Sequence, residues 1–103
     1  MTRQGLLLGL IARIPEDGIA AFNAYEALVL PLIAEHGGVL QRRLRTDDGQ
    51  TEIHLVWFPS EAAFAAFRED PRRTRHAALM TEAGAATELL RLQAVADLPA
   101  ATS

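Results

Sequence analysis

The stretch that decides the fold is Asp17 to Arg45, DGIAAFNAYEALVLPLIAEHGGVLQRRLR. It reads as a long apolar helix from about Gly18 to His36, a stop at Gly37-Gly38, and a strand from Val39 to Arg45. Phe22, Tyr25, Glu26, Val29, Leu32, Ile33 and His36 recur at three- and four-residue spacing, the period of one helical face. Asp17 is placed to cap the free amides of the first turn. Gly37 can take the left-handed conformation that closes a helix, and Gly38 lets the chain reverse at once. His36 suits the negative end of the helix dipole as a cap. Pro31 interrupts the pattern, because an interior proline removes a hydrogen bond and costs roughly 3 kcal/mol. A kink near Val29 to Leu32, or two short helices, is therefore expected.

Upstream of this stretch, Gly5 to Arg13 reads as a strand that is apolar on both faces. Leu6, Leu8, Leu10 and Ala12 share one side, and Leu7 and Ile11 share the other. Downstream, Asp48-Gly49 is a hairpin signal, and Thr51 to Phe58 is the strand that returns from it. Ser60 caps a helix carrying Phe64 and Phe67, which Asp70-Pro71 breaks. Arg72 to Ala83 is a second helical segment, closed by Gly84, and Glu88 to Ala96 is the fourth strand. Residues 1–96 form one domain in this reading, and Asp97 to Ser103 form a loose tail.

The order is β-α-β-β-α-β. It predicts an α+β, ferredoxin-like domain with a four-stranded antiparallel sheet and both helices on one face. The first and third strands lie in the centre. In the third strand Ile53, Leu55 and Trp57 oppose Glu52, His54, Val56 and Phe58. By elimination, the sets holding arginine and histidine are expected to lie away from the helices, with Trp57 facing them. The bare face is then apolar in its middle and polar at its rim, which predicts a homodimer through the sheet face.

Composition narrows the function. With 103 residues, half of them apolar, the chain suits one core. A net charge of −3 argues against nucleic acid. There is no apolar run of about 18 residues and no signal-peptide layout, so no membrane partner and a cytoplasmic location are expected. Cysteine is absent, every basic residue other than histidine is arginine, and serine occurs only at Ser60 and Ser103. These absences remove thiolate, lysine Schiff-base and serine-hydrolase chemistry. The three histidines fall on different elements without metal-ligand spacing, so no metal site is expected.

Any chemistry therefore falls to His, Tyr, Asp or Glu. His54, placed between two sheets beside Val56 and Phe58, is the candidate catalytic residue, as a base or a ligand-orienting donor. The structural alternative is a histidine hydrogen-bonded across the dimer. Tyr25, Arg43, Phe58 and Arg91 are the candidate ligand-binding residues. Arg43 and Arg91 could hold an anion at the rim or simply solvate an edge strand. Arg72-Arg73-Thr74-Arg75 is either a second anion patch or a solvated face.

Tyr25, Pro31 and His36-Gly37-Gly38 before a strand, then Phe58-Pro59-Ser60, a short helix with Phe64 and Phe67, and Asp70-Pro71, together resemble the domain-of-unknown-function family 1330. The resemblance covers roughly residues 6–95, although Arg72-Arg73-Thr74-Arg75 replaces a more neutral stretch. It implies a ferredoxin-like protomer in the dimeric α+β barrel superfamily, and no assigned activity. Fold relatives implied by it include cofactor-independent antibiotic-biosynthesis monooxygenases, muconolactone-type isomerases and haem-degrading enzymes. The haem pattern is not met, since Asn23 stands on the first helix, so no cofactor is expected. The expectation is a dimeric α+β barrel binding a small apolar or weakly acidic molecule between its sheets. The alternative is a cofactor-independent monooxygenase or isomerase with His54 as base and an arginine stabilising the enolate-like charge.

Overall fold

The structure, a computed structural model, describes residues 5–95. Strand β1 is Leu6–Arg13, β2 Val39–Arg45, β3 Thr51–Phe58 and β4 Ala86–Leu92. They form one antiparallel sheet in the order β2-β3-β1-β4, with the two most apolar strands in the centre. Helices α1 (Ile19–Val29) and α2 (Pro31–Glu35) connect β1 to β2. Helices α3 (Glu61–Glu69), α4 (Pro71–Thr74) and α5 (Ala77–Ala83) connect β3 to β4. This is the ferredoxin-like α+β fold.

Local chemistry explains the breaks. Pro31 starts α2 at a position where its missing N–H is not needed, so the long apolar run splits in two as expected. Gly37 closes α2 with φ 78°. Gly38 has a different reason for being glycine: a Cβ there would stand 2.8 Å from both Ile33 Cγ2 and Phe58 Cε1. Ser60 Oγ accepts from the Ala63 amide at 3.0 Å and Asp70 accepts from Arg72, starting α3 and α4. Asp17 does not cap α1. A 3-10 turn at Glu16–Gly18 takes that place, with Gly18 pressed against the Ala83 carbonyl, where any Cβ would collide. His36 ends α2, and its Nε2 pairs with Asp70 Oδ2 at 2.8 Å. Strand β4 begins two residues earlier than expected, where Ala86 meets Arg13, and stops at Leu92, near the first residue of its partner strand. The expected tail, Asp97 to Ser103, lies outside the described residues.

The assignment of sheet faces is corrected. Glu52, His54, Val56 and Phe58 point toward the helices and are all buried. Phe58 and Val56 pack with Leu8, Ile33 and Phe64, while Ala12, Ile14, Phe22 and Ala83 form a second cluster. Trp57 lies on the open face with Ile53 and Leu55, half-buried rather than under the helices. In β2 a bulge between Leu40 and Arg42 resets the alternation. It turns Arg43 and Arg45 toward the helices, opposite His54 and Glu52. Arg91 of β4 likewise reaches the helix side and bonds Glu61 on α3. Elimination failed because it counted charged residues as solvent-seeking, whereas here the arginines pair with carboxylates on the helix side, and Glu26, Glu52 and His54 are buried.

The open face keeps its apolar character with other residues. Val39, Leu44, Ile53, Leu90 and Leu92 are 38–47% exposed there. The helical run Glu16–Glu35 is long and apolar enough to cross a membrane by length and composition. Here Phe22, Glu26, Val29, Leu32 and Ile33 from that run are buried within the fold.

Candidate functional site

Phe22, Glu26 and Val29 recur on the buried stripe of α1, which lays a carboxylate against the sheet. Beneath it, alternation along β3 raises Glu52 and His54 on the same face, and the bulged β2 adds Arg43 and Arg45. The groups close into one network. Arg43 Nη2 donates to Glu26 Oε1 at 2.7 Å. Arg45 donates from Nε to Glu52 Oε1 at 2.8 Å, and from Nη2 to Glu26 Oε1 at 3.1 Å. Arg45 Nη1 donates to Asn23 Oδ1 at 2.7 Å, and its guanidinium lies 5.5 Å from the centre of the Phe22 ring. His54 Nε2 bonds Glu52 Oε2 and stands 3.0 Å from Glu26 Oε2, an oxygen that accepts no other hydrogen bond.

Glu26, Glu52 and His54 are each at most 4% exposed. Burial alone would raise the Glu26 pKa. Contact with His54 and the hydrogen bond from Arg43 outweigh it and hold the carboxyl at about 2. Burial alone would lower the pKa of His54, but the two carboxylates outweigh it and raise it above the ordinary 6.5. His54 is thus biased toward imidazolium. Its Nε2 is committed to the carboxylates, and its Nδ1 has no partner among the described residues.

Donor atoms of Glu26, Glu52 and His54 lie within 4.8 Å of one another, as metal ligands would. The chemistry does not fit a cation. Both carboxylates already accept from guanidinium groups, and a ligating imidazole must be unprotonated at the nitrogen that here faces the carboxylates.

A cavity of about 430 Å³ opens beside this network, between the sheet and the helices. That volume lies within the range of small-molecule sites, roughly 300–1,000 Å³. Leu10, His54, Val56 and Phe58 line it from the sheet, and Tyr25, Val29 and Phe67 from the helices. Three of the five sequence candidates, His54, Tyr25 and Phe58, thus share one cavity. It lies under the helices of a single chain and not between two sheets. Arg43 is not on its wall, being bonded to Glu26 behind it. Arg91 is also off the wall, tied to both Glu61 oxygens at 2.8 Å. Sequence reasoning missed Glu52 and Arg45. The signal was the charged pair Glu52 and His54 on an otherwise apolar stripe of β3, matching Glu26 on the apolar stripe of α1.

No family model matches the chain, and no curated protein matches it. Solved structures do. Over 93% of this chain and 99% of the other, it superposes on SnoaB, a cofactor-independent oxygenase from Streptomyces nogalater, with TM-score 0.72 and 17% identity. A putative antibiotic biosynthesis monooxygenase from Nitrosomonas europaea matches over 93% and 97%, with TM-score 0.70 and 13% identity. Rv0793 from Mycobacterium tuberculosis matches over 88% and 99%, with TM-score 0.64 and 23% identity. The chain shares the ferredoxin-like α+β fold of these structures. The finer resemblance to family 1330 has no matching family model behind it.

Proposed function

We propose that the protein binds a small, largely apolar organic molecule in the cavity between its sheet and helices, with His54 holding an oxygen of that molecule. One observation carries the reading: an imidazole locked at Nε2 by two buried carboxylates, with Nδ1 bonded to no group among the described residues, on the wall of a mostly apolar cavity. Below its raised pKa this ring carries its proton, so its fitting role is donor rather than base. An Nδ1–H in a water-poor cavity stabilises a phenolate or enolate oxygen and acidifies the corresponding hydroxyl or ketone. Tyr25, which also lines the cavity, offers a hydroxyl as a second donor. Arg43 and Arg45 act through Glu26 and Glu52 and do not reach the ligand.

A second reading, that the molecule is turned over, is favoured by the likeness to SnoaB, described as a cofactor-independent oxygenase. An ionised, electron-rich ring is the kind of substrate that can react with dioxygen without a cofactor. In this reading the hydroxyl proton leaves to solvent water, and His54 promotes that ionisation by donating Nδ1–H to the oxyanion.

Two copies are proposed to join through the open sheet face. Val39, Leu44, Ile53, Leu90 and Leu92 form an apolar surface that a second copy would cover.

The test is calorimetric titration with a panel of hydroxylated one-, two- and three-ring aromatic compounds, together with oxygen uptake. Saturable binding that weakens in His54→Gln supports the site. Absence of binding across the panel, or affinity indifferent to His54→Gln, removes it. Substrate-dependent oxygen uptake lost in the same variant separates the oxygenase from the binding protein.

A further inference from the structure

The buried end of the cavity holds His54 and Glu26, while its water-facing end is marked by Arg68, Thr74 and the half-buried Arg73. The two arginines are held in similar ways. The Arg68 guanidinium lies 5.5 Å from the centre of the Phe64 ring, and that of Arg73 lies 5.5 Å from the centre of Phe67. Both rings line the same cavity. Arg73 Nη1 also donates to the Arg68 carbonyl at 3.1 Å, which couples the two positions.

Arg13, Arg43, Arg45, Arg72 and Arg91 each pair with a carboxylate. Arg68 and Arg73 have no carboxylate partner among the described residues. Among the described residues Glu26 is the only acidic one on the cavity wall, and it is occupied by Arg43 and Arg45. A mostly apolar cavity with the His54 imidazole on its buried wall and two guanidiniums, without a carboxylate partner among the described residues, on its exposed wall selects for charge at one end of the ligand. Guanidinium groups fit a carboxylate with paired N–H donors, and stacking on a ring spares them part of the cost of being ordered.

Resting on the binding reading above, we infer that the ligand is a hydroxylated aromatic carboxylic acid. Its hydroxyl enters first, toward His54, and its carboxylate stays at the mouth between Arg68 and Arg73.

The probes are 6-hydroxy-2-naphthoate and 2-naphthol, which share the ring system and the hydroxyl and differ in the acid. Dissociation constants are measured by calorimetry at low salt. The acid is expected to bind about tenfold tighter or more, as charge-assisted hydrogen bonds allow. In Arg68→Gln/Arg73→Gln the ratio of the two affinities should fall to near one. In Arg68→Lys/Arg73→Lys, which keeps the charge, a severalfold preference should remain. Added salt should shrink the preference, since the mouth is open to water. Equal affinities in the wild type, or a preference that survives the glutamine double variant, would overturn the assignment of the mouth and leave the cavity reading standing. Binding of neither probe would overturn this inference, and the cavity reading would fall with it only if the panel of hydroxylated aromatics also fails to bind.

Discussion

Glu26→Gln probes the network that holds His54 in place. Glu26 accepts from Arg43 at 2.7 Å and from Arg45 at 3.1 Å, and faces His54 at 3.0 Å, all in a site 3% exposed. Its carboxyl is brought from an ordinary 4.5 to about 2, and at about 1.4 kcal/mol per tenfold in acidity that is roughly 3 kcal/mol of preference for the ionised form. Removing one member of a buried charge network costs about 3–5 kcal/mol by general experience, so the two figures agree. The pH dependence follows from the signs. The folded pKa of Glu26 is depressed, so its contribution is present above 4.5 and is lost as pH falls toward 2. The folded pKa of His54 is raised, so its contribution is full below 6.5 and fades as pH climbs through the folded value. The deficit of Glu26→Gln should therefore be greatest between about pH 5 and 6.5, and should shrink toward pH 2. Urea unfolding followed by far-UV circular dichroism, at one fixed protein concentration, measures it. A deficit under about 1 kcal/mol, or one unchanged from pH 3 to 6.5, would refute the account of this site as a coupled ion network.

Further outcomes are expected elsewhere in the molecule. The His54 ring should titrate with a midpoint above 6.5 when followed by the NMR shift of its Cε1 proton, and a midpoint below that value would mean burial outweighs the carboxylates. Ile53→Asp, on the open face, should convert dimer to folded monomer by native mass spectrometry. A stable dimer carrying that charge would sink the proposed interface. Phe58→Ala should instead cost about 3–5 kcal/mol of stability, because Phe58 is 1% exposed in the core, and chemical denaturation will show it. Gly38→Ala should cost about 1–3 kcal/mol, since its Cβ would press on Ile33 and Phe58, and an unchanged melting temperature would contradict that packing.

Much of the architecture is legible in linear order because its causes are local. Proline at 31, glycine at 37, Ser60 and Asp70 act on the backbone within one turn of themselves. The same holds for Asp48-Gly49, whose turn joins β2 to β3. The candidate site was partly legible. His54, Tyr25 and Phe58 were singled out for their chemistry and share a cavity, but the side of the sheet on which it lies was misread. Of the two arginines proposed to hold a ligand's acid group, Arg73 was visible only within the run Arg72-Arg73-Thr74-Arg75 and Arg68 was not singled out, because which arginine reaches Phe64 or Phe67 depends on how α4 turns away from α3.

By itself the sequence determined the order of elements, their turns and the central placement of β1 and β3, since alternation, helical period and breakers are properties of neighbouring residues. Period two along a strand divides side chains into two sets but does not say which set meets the helices. That was decided by tertiary structure. The bulge at Gln41 turned Arg43 and Arg45 inward, and α1 brought Glu26 over Glu52 and His54. Charged residues that would each avoid the interior alone become buried together, because their neutralising partners arrive from three separate elements.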